Sequence, residues 1–294
     1  MFKYQLSAFA DEASKQLDLQ LEALRRNGIN RIELRGVDGK NVADLTNDEA
    51  AAVRKKLDAA GVELSSMGSP FGKYPIEAEF DKHLTAFKRG LEICDILGTK
   101  RIRMFSFHIP AGDAAASWRG KVIDQLGVML EEAEKAGIFL AHENEKGIYG
   151  DTAERCLDLA ETFAGKMGCI FDPANFIQCG VKPIEAYPML EKWITYMHIK
   201  DAMMADGAVV PAGCGDGSVG EILKKLGAKA DAMTLTLEPH LAGFVGLGAL
   251  QTEEVKHKYS YATNDEAFDA AVTALKGLLT GNGYAEKDTG IWAL

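Results

Sequence analysis

Four stretches of the chain end an apolar run on a residue able to bind a metal ion or move a proton. They are "IFLAHENEKG" (138–147), "CIFDPANF" (169–176), "ITYMHIKD" (194–201) and "TLTLEPHL" (234–241). The residues at those ends are Glu143, Asp172, His198 and Glu238. Ionisable groups at the end of a buried strand are costly unless something compensates them. Three carboxylates and one imidazole form a donor set of three oxygens and one nitrogen. That set suits one hard or borderline divalent ion, Mn2+ foremost, with Mg2+, Co2+ or Zn2+ as alternatives, and leaves one or two positions for substrate oxygens.

These residues meet only if the elements between them bring the strand ends together. Short β-like runs alternate with helical patterns along the whole sequence, beginning with "YQLSAFA", "RIELRG", "VELSSMGS" and "KRIRMFSF". Thr46 with Glu49, Asp151 with Glu154 and Ser218 with Glu221 have capping-box spacing. Eight strand–helix units imply parallel pairing and right-handed crossovers. No Gly-rich dinucleotide turn follows the first strand, and no Pro/Ser linker divides the chain. The expectation is an α/β fold: a single (β/α)8 TIM barrel over residues 1–294, with its active site at the C-terminal ends of the strands.

Strand alternation assigns directions. With Glu143 inward, His142 faces the helices; with His198 inward, Tyr196 and Lys200 share its side. Lys73, Arg103, His108, Glu145, Asn175, Lys200 and His240 are the candidates for holding substrate, whereas His83 and His257 have no special claim. Lys200 is balanced between a site cation and a partner of Asp201. The glycine-rich "PAGCGDGSVG" (211–220) lies where barrels often bind phosphate, but Asp216 would repel an anion, so a capped-helix entry is the better reading.

Bulk properties narrow the partners. The 294 residues carry a net charge of −10 with no Lys/Arg-rich block, which argues against nucleic acid. No run approaches a membrane span and no signal peptide is evident at the start. The five cysteines contain no CxxC pair, which fits a reducing cytoplasm. A small molecule is the expected partner, which the family resemblance below narrows to a sugar or polyol. The 241–263 loop and the tail "AEKDTGIWAL" could each be a lid or the contact of a homo-oligomer.

In order along the chain, "SPFGK", "RMFSFH", "HENEKGIYGDTAER", "FDPANF", "HIKD", "GCGDG" and "LEPHL" resemble the sugar phosphate isomerase/epimerase family of xylose-isomerase-like TIM barrels. The resemblance implies that Glu143, Asp172, His198 and Glu238 hold one divalent metal, and that Glu143 and Glu238 double as an acid/base pair. The implied reaction removes a proton beside a sugar carbonyl through a metal-stabilised enediolate and returns it to give an epimer or isomer. Two positions depart from the ketose epimerases of the family: Asn175 stands for a His, and Met204 for an Arg. The competing readings are a lyase or dehydratase on a keto-sugar, an endonuclease-like hydrolase disfavoured by the acidic charge, and a sugar-binding barrel without catalysis.

Overall fold

A computed structural model describes residues 3–227, 232–242 and 259–294. Eight strands form its centre: β1 (Lys3–Ala8), β2 (Arg31–Leu34), β3 (Glu63–Gly68), β4 (Arg101–Met104), β5 (Phe139–Glu143), β6 (Met167–Phe171), β7 (Ile194–Ile199) and β8 (Met233–Leu237). The helices of the described residues are α1 (Leu17–Arg26), α2 (Asn47–Ala60), α3 (Phe80–Leu97), α4 (Ala115–Lys135), α5 (Ala153–Thr162), the short α6 (Pro173–Gln178), α7 (Pro183–Leu190), α8 (Val219–Leu226) and α9 (Asn264–Gly281).

The strands are parallel and neighbour one another in the order β2-β3-β4-β5-β6-β7-β8-β1, and the sheet curls until β1 lies beside β2. This is the (β/α)8 TIM barrel expected from the alternation. Its order places the C-terminal ends of β5 to β8 side by side, so residues distant in sequence share one mouth. Apolar stripes of the helices, such as Phe87, Leu91 and Cys94 of α3, pack against the outside of the sheet. Inside the curl Ala141, Ile170 and Tyr196 form a small separate cluster with Phe139.

The tail is not a lid over the mouth, for it joins the sheet at the barrel's other end. Residues Ala285–Asp288 (β9) and Ile291–Ala293 (β10) form a hairpin, and β10 pairs antiparallel with the start of β1, Lys3 opposite Ala293 and Gln5 opposite Ile291. That is the end of the barrel opposite the strand termini. The 241–263 segment falls mostly outside the described residues, so its expected role as a lid or contact has no structural counterpart here.

Local start signals were realised unevenly. Thr46 and Glu49 make a complete capping box on α2. For α5 the cap is Thr152, which accepts from the Arg155 N–H; the Asp151 carboxylate is taken by the Arg155 guanidinium instead. Ser218 precedes α8 but adopts left-handed backbone (φ 52) and makes no side-chain cap, because that conformation turns its hydroxyl away from the first N–H groups.

Candidate metal and acid–base site

Glu143 is the last residue of β5, and alternation turns it into the barrel while His142 turns outward. His142 is buried there, with Nε2 2.9 Å from Ser106 Oγ, and burial pushes it down to about 4. Asp172 follows β6 and caps α6: its Oδ1 accepts from the Asn175 N–H at 2.9 Å, with Pro173 opening the helix. The residue is thus both a helix cap and a contributor to the mouth, since its Oδ2 is turned toward the Lys200 ammonium at 3.0 Å and not toward the backbone. His198 comes from β7, and Glu238 directly follows β8, with its N–H on the Ile199 carbonyl.

These four residues converge. One donor atom from each of Glu143, Asp172, His198 and Glu238 lies within 4.8 Å of the others, and all four residues are buried. His198 Nδ1 stands 3.0 Å from Glu143 Oε1 and 3.2 Å from Glu238 Oε2. Ligands about 2.1 Å from a common ion would be separated by up to roughly 4.2 Å. The donor chemistry and the convergence of the four side chains therefore fit a single divalent ion, with the donor atoms drawing in by a few tenths of an ångström around it.

Cations surround the carboxylates. Arg103, 2% exposed, gives Nη1 to Glu143 Oε2 at 2.8 Å. Arg35 gives Nη1 to Glu238 Oε1 at 3.0 Å and grips Asp11 with Nε and Nη2, both at 2.9 Å. Lys200 Nζ lies 3.0 Å from Asp172 Oδ2 and 3.4 Å from Glu238 Oε2. The edge of the Phe9 ring packs on His198, and both Arg35 and Arg103 lie over Phe9.

This balance sets the proton affinities. Burial alone would raise the Glu143 and Glu238 carboxyls, but the cations beside them outweigh it, His198 and Arg103 at Glu143 and Lys200 and His198 at Glu238, and hold both well below the usual range. Burial would lower His198, yet Glu143 and Glu33 override it and hold the imidazole well above its ordinary value. Glu12 goes the other way: burial pushes it up to about 8 despite Arg35. Its Oε2 accepts the His240 N–H at 2.6 Å, which holds His240 in left-handed backbone (φ 47).

The other candidates fall into two groups. Asn175 gives Nδ2 to Glu143 Oε1 (3.2 Å), and His240 Nε2 is 3.4 Å from Glu238 Oε1, so both adjoin the cluster together with Arg103 and Lys200. Lys73 and Glu145 instead form a largely buried ion pair of 2.7 Å with each other, over the Phe105 ring. Half-buried His108 lies close enough to feel both charges, and its backbone bridges Pro75 and Ile148.

Lys200 does not pair with Asp201. The Asp201 carboxylate accepts the backbone N–H groups of Ala202, Gly213, Gly215 and Gly217 at 2.8–3.1 Å. The glycine-rich loop therefore spends on its own aspartate the donors that a phosphate would need. A Cβ at Gly215 or Gly217 would come within 2.4 or 2.5 Å of Asp201 Oδ1.

Sequence reasoning passed over Asp11, Glu12, Glu33 and Arg35. Glu33 and Arg35 carried a weak signal: with Arg31 they alternate with Ile32 and Leu34, which puts three charged residues on one face by parity. Asp11 and Glu12 lie in a single 3-10 turn after β1 with no periodic pattern to mark them.

A barrel with this mouth defines a class, and comparison with known proteins agrees. The chain belongs to the family described as "Xylose isomerase-like TIM barrel", whose model matches residues 21–259. It is 21% identical over 210 residues, 70% of each chain, to 3-dehydroshikimate dehydratase of Bacillus anthracis. Among solved structures it resembles the IolI protein with a bound zinc atom (TM-score 0.71, 17% identity, 95% of this chain and 99% of that one). It also resembles D-psicose 3-epimerase of Clostridium cellulolyticum H10 (TM-score 0.71, 12% identity, 93% and 98%). Named relatives thus include both an epimerase and a dehydratase, and among the described residues no helix is long and apolar enough to cross a membrane.

Proposed function

We propose that this chain is a divalent-metal-dependent isomerase or epimerase of a sugar or sugar derivative, with Glu143, Asp172, His198 and Glu238 as metal ligands. The observation that carries the reading is the placement of two carboxylates about one imidazole nitrogen, each oriented by a different arginine. A divalent ion held there would supply Lewis-acid stabilisation of negative charge developing on substrate oxygens.

The protein's own groups divide the remaining work. Glu143, kept ionised by Arg103 and aimed by Asn175, accepts the proton from the carbon beside the carbonyl. Glu238, approached by Arg35 on one oxygen and Lys200 on the other, takes up a proton from solvent and delivers it to the opposite face, while Glu143 releases the abstracted proton to solvent. Lys200, 2% exposed, offers a fixed positive charge to a substrate oxygen without solvent screening. Lys73, Glu145 and His108 form the outer contacts of the substrate. All five cysteines are free, in keeping with a cytoplasmic setting.

A second reading, a dehydratase on a carboxylated keto-polyol, has one observation in its favour. The Nε and Nη2 atoms of Arg103 are buried without a hydrogen-bond partner, and that edge of a guanidinium matches a carboxylate, which a neutral sugar lacks. The test is to incubate Mn2+-loaded protein in D2O with aldoses, ketoses and 3-dehydroshikimate, following products by NMR. Deuterium entering one carbon with no loss of water is the expected result. Release of water, with turnover only of the carboxylated substrate, would establish the lyase instead. Full activity after exhaustive chelation would overturn both readings.

A further inference from the structure

Glu33 is completely buried at the end of β2, yet it is not among the four residues whose donor atoms converge. It stands behind His198: Glu33 Oε2 is 3.3 Å from His198 Nε2, on the ring edge opposite the nitrogen that faces Glu143 and Glu238. Its other oxygen, Oε1, accepts the Tyr196 hydroxyl at 2.9 Å, and that hydroxyl is 3.4 Å from Ser66 Oγ. Strands β2, β3 and β7 are thereby tied across the inside of the barrel. The rings of Phe9 and Tyr196 pack against His198 at 5.2 and 5.5 Å and restrict its rotation.

A histidine that gives one nitrogen to a metal loses that proton and keeps the other, and the partner of the second nitrogen decides which is which. A carboxylate at Nε2 can only accept, so the proton stays on Nε2 and the Nδ1 lone pair is left for the ion. We infer that Glu33 is a positioning residue: it fixes the tautomer and angle of His198 so that Nδ1 is presented to a divalent metal, and Tyr196 holds Glu33 in place. Carboxylates behind a ligating histidine raise its basicity and commonly contribute about 10- to 100-fold in metal affinity. The inference rests on the metal-site reading above and assigns no contact with substrate to Glu33.

The experiment titrates Co2+ into wild-type, Glu33→Gln and Tyr196→Phe proteins, following the visible d–d spectrum, with circular dichroism as a check on folding. Glu33→Gln should weaken Co2+ binding by about 10- to 100-fold and alter the band pattern, and Tyr196→Phe should weaken it by a smaller factor. The imidazole 15N resonances of the Zn2+-loaded wild type should show one slowly exchanging Nε2–H that disappears in Glu33→Gln. Wild-type affinity, spectrum and resonances in Glu33→Gln would overturn the inference alone. If Glu33→Gln does not fold, an unchanged Tyr196→Phe protein overturns it. Failure of the wild type to bind Co2+ at all would overturn the metal site itself.

Discussion

Asp172 and Asp201 each sit near the end of an inner strand, are fully buried and precede a run rich in small residues, yet they end in opposite states. Asp201 is saturated, with four backbone N–H groups on its two oxygens. Asp172 uses one oxygen as a helix cap and turns the other to the Lys200 ammonium, 3.0 Å away, with no backbone N–H on it. A buried carboxylate satisfied by its own backbone organises a loop. One held by a single lysine among other carboxylates keeps acceptor capacity for a further cation. The difference separates the glycine-rich loop from the mouth of β5 to β8 more sharply than charge or burial does.

The comparison predicts distinct failures on its two sides. The largest effect is expected at the mouth. Glu143→Gln or Glu238→Gln should lower deuterium exchange into substrate by about 10^3-fold or more, with thermal unfolding close to wild type. Loss of the fold in either variant would instead make these carboxylates structural. On the loop side, Asp201→Ala should cost about 2–4 kcal/mol in denaturant titrations, because several N–H groups lose their acceptor. Asp172→Asn, which can still cap α6 with its carbonyl oxygen, should cost about 1 kcal/mol or less while abolishing metal uptake. Equal stability losses in those two variants would erase the distinction.

A pH-dependent effect lies outside both regions. His83 accepts the Gly72 N–H on Nε2 at 3.1 Å and stacks on Tyr74, and burial pushes it down to about 4. Its folded value lies below the unfolded one of roughly 6.5, so the unfolded chain takes the proton first as pH falls. Its contribution is therefore complete above about pH 6.5 and is lost between there and about pH 4, costing on the order of 1–2 kcal/mol. Thermal melts across that range should slope less in His83→Gln than in wild type.

The parts of this molecule legible in its sequence are those governed by period and position. Alternating apolar runs and helical stripes predicted the barrel, and the polar residues ending β5 to β8 predicted which side chains would meet. The alternation around Glu33 and Arg35 marks a shared face but not the partners of Asp11, Glu12, Glu33 and Arg35, which come from distant parts of the chain. No local pattern says that Arg35 reaches Glu238, 203 positions away. The failed caps at Asp151 and Ser218 teach the same lesson at short range, since an i,i+3 spacing does not reveal that Arg155 claims the carboxylate or that the backbone is left-handed. The tail was opaque because its partner is the edge of β1, at the far end of the sequence.

That last pairing has a consequence for how the protein is made. Lys3–Gln5 are synthesised well before the strand that covers their edge, Ile291–Ala293, which arrives almost 290 residues later. At roughly 5–20 residues per second, the wait is tens of seconds. Throughout synthesis the barrel's first strand must therefore keep an open edge from pairing with neighbouring nascent chains. Moving the β9–β10 hairpin ahead of Lys3 by circular permutation would shorten that exposure without altering a single contact in the mouth.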